Sequence, residues 1–552
     1  MLGLLGLCLT ARFSVGRQEA HRSVLTSRSP PSVDGGSFVF QGERKAWGGK
    51  VVDVVSPVDL SSTKEKAVIG RISVMDAGAA LETLEVAVKA WDGGQGDWPQ
   101  KSLAERAKYV EAYLEKLTEK RAEIIEMLMW EIAKTSSDAA KEFDRTISFA
   151  REVLASAKSA QKLDRYGGDE WHDFKNLQAR VERGPVGVAL MLAPFNYPLN
   201  EMYAMMIPAL LTGNVILLKL PNIGALTHIL TVEALEQTLP KGVVNFITGS
   251  GRETLPVIMQ SGKIDVIGFI GGSKGADALI KAHPEPHRLK VFSQLEGKNM
   301  AIVLPDADLD KASSEIVLGS LSYNGQRCTA IKLVAVHESI ADNFLKNFLI
   351  PKIDDLKAVL PWDDTNTGGL LKITPLPEPK KVKYLVDLVE DALKKGASIV
   401  NKNGADIYGK SLFSPAVVAY VDDTMRLFHE EQFGPVVPVA KFTDIQHIIQ
   451  AAKTSWSGQQ VAIFTTKDSK TAATLIDALS TIVGRANLNL QCQRGPDVLP
   501  FSGRRSSAMG TMSVHDAIKA FSVEVVIAAH PEDNDLLRNI ERHSNLLAPD
   551  DE

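Results

Sequence analysis

Cysteine is scarce here: Cys8, Cys328 and Cys492 are the only three in 552 residues. So few thiols, so far apart, exclude a disulfide framework, lack metal-ligand spacing and fit a reducing compartment. Long apolar runs are missing too. None approaches the ~18 residues of a membrane-spanning helix, so nothing in the sequence reads as crossing a membrane. Charge of one sign is also not in excess. A net charge of -5 without a clustered basic stripe removes the electrostatic argument for a nucleic acid partner. No internal repeat occurs. With 45% hydrophobic and 23% charged residues, the composition is ordinary and globular, and the length suits two or three domains with large cores.

The N-terminus departs from this composition. Met1 to Leu9 is apolar, and Arg12, Arg17, Arg22 and Arg28 follow among serines with one acid, Glu19. A basic, serine-containing, acid-poor leader reads as an organelle transit peptide or a disordered extension, over about 1–35. The expected location is accordingly cytoplasmic, or organellar (plastid or mitochondrion) if the leader is a targeting peptide.

Beyond it, Val39 to Val74 carries short β-rich runs, one of them, Lys50 to Val55, expected to break at Ser56-Pro57. Helical spacing runs from Ala79 to the glycines at 93–96, again from Ser102 through Ile132, and from Asp138 towards Lys162. From Val186 short apolar strands alternate with helices: strands at Val186–Leu192, Val215–Leu218, Val243–Ile247 and Val266–Ile270, helices at Asn200–Leu211 and Ala225–Leu239. This alternation predicts an α/β fold with a parallel sheet covered on both faces, and ligands at the carboxyl ends of its strands. A second strand-helix series from Asn299 to Val483 predicts a second α/β domain. Gly484 to Gly510 reads as a loop lining a site, and the residues from about Pro531 as a frayed tail.

Several segments carry chemistry. In Ser322-Tyr-Asn-Gly-Gln-Arg-Cys-Thr-Ala330 a lone cysteine lies between an apolar helix end and an apolar strand. It is either a nucleophile, active as thiolate, or a buried structural cysteine. Asn196, between Pro194 and Pro198, is a rigidly held amide that suits an oxyanion donor, a role worth roughly 10²–10³ in rate, or else a turn residue. The glycine turns Thr248-Gly-Ser-Gly251 and Ile270-Gly-Gly-Ser-Lys-Gly275 can cradle a phosphate at a helix N-terminus or simply turn the chain. Lys219 ends an apolar strand, where it suits a ribose hydroxyl, a phosphate or solvent. In Gln294-Leu-Glu-Gly-Lys298 the first and third side chains share one face of an extended segment. His429 to Pro435 and Arg494 to Asp497 are dense polar loops.

Taken in order, these segments make the stretch from about Gly36 to Ala528 resemble the aldehyde dehydrogenases. Ala193-Pro-Phe-Asn-Tyr-Pro198, Phe269-Ile-Gly-Gly-Ser-Lys-Gly275, Tyr323-Asn-Gly-Gln-Arg-Cys-Thr-Ala330, Glu430-Glu-Gln-Phe-Gly-Pro-Val436, Arg494-Gly-Pro-Asp497 and Pro500-Phe-Ser-Gly503 carry the likeness. Tyr197, the double glycine, Gln326-Arg327 and Arg494-Gly-Pro-Asp497 point to the NADP-dependent non-phosphorylating glyceraldehyde-3-phosphate dehydrogenases.

The resemblance implies a cofactor-binding domain over 36–298, with oligomerisation strands near 170–185, and a catalytic domain over 299–512. A further oligomerisation strand at 513–530 and a tail at 531–552 complete the expected layout, in a homo-oligomer, dimer or tetramer. It implies Cys328 as nucleophile, giving a thiohemiacetal and then a thioester, with Asn196 and the Cys328 N–H holding the oxyanion. Lys219 and Glu431 are expected on ribose hydroxyls, Phe433 near the nicotinamide, and Gly271 and Gly272 by the phosphates. Asn222 stands where the family often has a Glu that favours a free 2′-hydroxyl, so NADP is expected over NAD, which stays possible. Arg327, Arg494 and Arg145, with Tyr197, match groups that serve a substrate phosphate.

One departure concerns water. Gln294 stands where the family has its general base, and Glu296 where it has glycine, so the base is expected to have moved to Glu296. Transfer of the acyl group to coenzyme A, or a catalytically silent binding protein, are the alternatives.

Overall fold

The computed structural model describes residues 25–160, 170–363 and 371–547. The leader, up to residue 24, lies outside the described residues.

The strands at Val188–Leu192, Val215–Lys219 and Val266–Ile270 are buried at every position, as strands covered on both faces must be. They belong to a six-stranded sheet in the order Val244–Ile247, Val215–Lys219, Val188–Leu192, Val266–Ile270, Lys290–Gln294, Ala508–Met509. Ala508–Met509 alone in it runs antiparallel to its neighbour. From Val188–Leu192 the chain winds outward through two strands, then returns to lay Val266–Ile270 on the opposite side. The topological switch point, where such sheets bind ligands, therefore lies between Val188–Leu192 and Val266–Ile270. Pro194 to Tyr197 and Gly271 to Ser273 leave the sheet at that crevice.

The second sheet has seven strands: Ser398–Ile399, Ala416–Ala419, Val436–Phe442, Ile331–His337, Asn299–Val303, Gln460–Phe464 and Arg485–Leu488. It is parallel except for Ser398–Ile399. A third, three-stranded antiparallel sheet pairs Leu177–Pro185 with His172–Phe174 on one side and Ser522–Ala529 on the other. The chain thus forms two α/β domains and a strand arm. The helices around them follow the amphipathic pattern. Leu103–Glu119 opens with a reciprocal Ser102–Glu105 capping box, and Ser136–Ala160 packs on Pro198–Leu211.

Some expected boundaries move. Residues 25–35 belong to the fold: Leu25–Thr26 runs parallel to Asp59–Leu60, and Val33–Gly35 to Gly70–Ile72. The strand at Val51–Leu60 is not ended by Ser56-Pro57, because register shifts between Val54 and Asp59 place the proline where the ladder is already interrupted. Ser56 compensates by donating to Trp130 O at 2.6 Å. The helix expected over 225–239 splits into Ala225–Ile229 and Val232–Thr238, since the Thr231 hydroxyl and amide both turn back on His228 O. The segment read as a loop from Gly484 begins with the strand Arg485–Leu488 and ends by joining the first sheet at Ala508–Met509, before the boundary expected at 512. The tail contains a helix, Asn534–Glu541, anchored by buried Leu537 and by Glu541, which accepts from Trp171 Nε1 at 2.6 Å and Arg180 Nη1 at 3.3 Å.

Candidate active site

The turn before Cys328 is built by three consecutive residues with positive φ, Tyr323 (49°), Asn324 (55°) and Gly325 (70°). A Cβ on Gly325 would come within 2.7 Å of two backbone carbonyls, those of Ser320 and Gly434, so the position demands glycine. Asn324 pins the turn by exchanging hydrogen bonds with the backbone of Thr374, and the Tyr323 hydroxyl donates to Ile132 O at 2.9 Å. The Cys328 carbonyl accepts from Asn299 Nδ2 at 2.9 Å and Lys332 Nζ at 2.6 Å. The main chain around the thiol is held from both sides.

Cys328 lines a cavity of about 810 Å³ together with Asn196, Tyr197, Gly271, Gly272, Gln294, Glu296, Arg327, Glu431, Phe433, Arg145 and Arg494. The structure therefore brings together twelve of the fourteen residues singled out from the sequence. The other two lie apart. Lys219 is buried, and its Nζ donates to Leu220 O. Asn222 is exposed just beyond it.

The thiol is not poised by its neighbours. Burial pushes it up to about 11, and the carboxylate of Glu201 adds to the rise, as Glu431 does further down, while Lys332 and Arg494 oppose it. Arg327, adjacent in sequence, instead sends its Nη2 to Gly319 O at 2.8 Å and Gln491 Oε1 at 3.4 Å. Asn196 is buried, and its Nδ2 donates to Gln326 O at 2.8 Å, which ties the amide to the backbone two residues before the cysteine.

Asn196 and Tyr197 owe their position to a charge pair absent from the sequence reading. Glu142 accepts from the first-turn amides of Leu199 and Asn200, at 3.1 and 3.4 Å, and pairs with Lys134. Lys134 Nζ lies 3.4 Å from the centroid of the Tyr197 ring, and Tyr197 meets Tyr323 edge to face. Burial holds Lys134 below and Glu142 above their ordinary values, each opposing the other's shift.

Glu296, expected as the base, is held by a helix end. Its carboxylate is turned to the N-terminus of the helix Ser273–Ala282, where the Ser273 hydroxyl donates at 2.7 Å and the Ser273 amide to the other oxygen. Gln294 ends its strand facing the cavity. Its Nε2 donates to Gly510 O at 3.3 Å, and its buried Oε1 has no partner among the described residues.

Carboxylates also pair with two of the three arginines. Arg145 makes a two-pronged pair with Asp497, at 2.8 and 2.6 Å. Arg494 Nη1 lies 2.7 Å from Glu201, and its Nε 3.4 Å from Asp497. Glu431 pairs with Lys332 at 2.6 Å, and Phe433 packs edge-on against Phe195. Glu201 and Lys332 were not singled out from the sequence. A charge inside an otherwise apolar strand or helix was the signal available for both.

The aldehyde dehydrogenase family profile matches residues 49–526. The chain is 32% identical to NADP-dependent glyceraldehyde-3-phosphate dehydrogenase of Zea mays over 482 residues, 86% of this chain and 91% of the relative. To the enzyme of the same name from Streptococcus equinus it is 34% identical over 432 residues, 78% and 87% of the two chains. Among solved structures, NADP-dependent glyceraldehyde-3-phosphate dehydrogenase from Bacillus halodurans C-125, complexed with NADP, superposes with a TM-score of 0.79 at 30% identity, covering 90% of this chain and 99% of the other. With a cysteine turn, an amide and a glycine turn meeting on one cavity at the switch point of a parallel sheet, the chain belongs to the aldehyde dehydrogenase family.

Proposed function

We propose that the protein oxidises an aldehyde to a carboxylic acid through Cys328, with NADP as hydride acceptor. The compound to test first is D-glyceraldehyde 3-phosphate, which with NADP and water would give 3-phosphoglycerate and NADPH. The observation that carries the reading is the tie between Asn196 Nδ2 and Gln326 O, which puts a rigid amide donor and the cysteine on one cavity.

The residues present fit NADP. Lys219 is a buried amine brought down to about 8 by desolvation alone, which suits it to a ribose hydroxyl or phosphate oxygen. The Gly271-Gly272 turn opens into the cavity of Cys328, and Asn222 carries no charge to repel a 2′-phosphate. When bound, NADP supplies the acceptor for the hydride.

Cys328 Sγ loses its proton and bonds to the aldehyde carbon, while the carbonyl oxygen takes up the negative charge beside Asn196 Nδ2. Loss of hydride from that carbon leaves a thioester. Addition of water then breaks the carbon–sulfur bond and returns the thiol. Three arginines, Arg145, Arg327 and Arg494, line the cavity and support a phosphorylated substrate, as do the names of the relatives.

A second reading has its own observation. The carboxylates around Cys328 are engaged, Glu201 with Arg494, Glu431 with Lys332 and Glu296 with Ser273, so a thiol such as coenzyme A competes with water for the thioester. Reduced cofactor should be followed with D-glyceraldehyde 3-phosphate, unphosphorylated glyceraldehyde and succinate semialdehyde, each with NADP and NAD, with and without phosphate and coenzyme A. A higher specificity constant for NAD than NADP overturns the cofactor assignment. Acyl-coenzyme A as the main product replaces the hydrolytic reading by the second.

A further inference from the structure

Glu201 stands in the first turn of the helix Pro198–Leu211, among residues that are almost all buried and mostly apolar. Its side chain lines the cavity of Cys328 and lies 2.7 Å from Arg494 Nη1, with the two side chains only 13% and 7% exposed. Asp497 closes the rest of the cluster, taking Arg145 in a two-pronged pair and standing 3.4 Å from Arg494 Nε. Two of the three arginines at this end of the cavity are thus already matched by two carboxylates. Arg327, the third, makes its hydrogen bonds to a carbonyl and an amide.

The arrangement is not saturated. Arg494 Nη2 is buried and has no partner among the described residues, with the guanidinium lying against Phe149 and Phe501. Glu201 is also the leading charge acting on the Cys328 thiol, which its field pushes up. Glu201 and Cys328 share one cavity, so its carboxylate bears on whatever is bonded to the sulfur.

An anionic tail reaching Arg494 meets Glu201 in the place it would take, and the desolvated site leaves little water to screen the like charges. An uncharged, hydroxyl-bearing tail meets no such repulsion. We propose that Glu201 is the specificity-determining residue of this site: its carboxylate occupies Arg494 in place of a substrate anion, so a phosphorylated aldehyde must displace it and an unphosphorylated one need not. The inference rests on Cys328 being the nucleophile of the proposed reaction.

The test compares wild type with Glu201→Gln and Glu201→Leu, each verified as folded by its thermal melt. Specificity constants are measured for D-glyceraldehyde 3-phosphate and for D-glyceraldehyde. The expected result is a rise of tenfold or more in the ratio of the first to the second, in both variants and carried mainly by KM. A ratio that stays constant or falls overturns the proposal and leaves Glu201 as a group that merely orients Arg494. Inhibition of D-glyceraldehyde oxidation by sn-glycerol 3-phosphate supplies an arm that needs no phosphorylated substrate to react. Its inhibition constant should drop tenfold or more in Glu201→Gln, and an unaltered constant overturns the proposal. If D-glyceraldehyde 3-phosphate is oxidised by none of the three proteins while that constant still drops, the proposed substrate fails and the role of Glu201 stands.

Discussion

Both carboxylate oxygens of Glu296 are held by Ser273, one by its hydroxyl and the other by its backbone amide. This contact places a negative charge on the open N-terminus of the helix Ser273–Ala282, the end that attracts anions. It also engages both oxygens of the group expected to activate water.

Thioester hydrolysis in Glu296→Gln, followed by single-turnover quench, should slow by less than about tenfold, whereas loss of a general base costs roughly 10²–10⁴. A fall in the larger range would return the base to Glu296. The same substitution removes a charge that competes with cofactor phosphates, a change worth about 1 kcal/mol at a helix end. Titration of protein fluorescence should accordingly show NADPH binding several-fold tighter.

The Cys328 thiol, half-buried on the cavity wall, should be protonated before substrate binds. Alkylation by iodoacetamide, with sites identified by mass spectrometry, should keep rising with pH towards a midpoint of about 11. Only the thiolate reacts, and Cys328→Ala should remove this pH-dependent site, leaving at most the label on Cys8. Cys492 is fully buried and pushed up to about 12, so it should remain unlabelled in the folded protein. Replacing Lys332, whose charge now favours the thiolate, should move the Cys328 midpoint higher still.

Asn196→Ala should lower kcat/KM by about 10²–10³, the range for loss of one oxyanion donor. NADPH affinity should hold, because Lys219 and the Gly271-Gly272 turn lie on other strand ends. A loss below tenfold would assign Asn196 to fastening Gln326 alone.

Removing one member of the buried Lys134–Glu142 pair should be costly. Lys134→Met or Glu142→Gln leaves a buried group without its partner, a loss of about 3–5 kcal/mol, read as a lower midpoint in chemical denaturation. The double replacement Lys134→Met with Glu142→Leu should recover much of that loss. If the double variant melts below both singles, the pair contributes more than it costs to bury.

The sequence readily yields whatever depends on neighbours along the chain. Apolar runs such as Val266–Ile270 declare strands buried on both faces, and the Gly325-to-Cys328 turn and the Pro194-to-Pro198 segment declare themselves by composition. Side-chain partners chosen across the fold were not legible. Asp497 meets Arg145 across 352 residues and Arg494 meets Glu201 across nearly three hundred, and neither pairing leaves a local trace. Glu296 illustrates the limit. An extended segment puts it on the side of Gln294, but the chain leaves the strand after Gln294 and Ser273 offers two donors. The helix at 534–541 escaped because it lies in a charged stretch and only one of its three apolar residues, Leu537, is buried.

The antiparallel return of Ala508–Met509 has a mechanical consequence. Leu295 to Lys298 carries the chain from the first sheet to the second, and the segment ending at Met509 carries it back alongside. Ser507 stitches these crossings together: its carbonyl accepts from the Leu295 amide at 2.9 Å, and its hydroxyl donates to Glu296 O at 3.0 Å. Laced side by side, they act as one pivot line, with Gln294 and Glu296 at its edge. Any rocking of one sheet against the other would turn about that line, and so about Gln294 and Glu296, which line the cavity beside it.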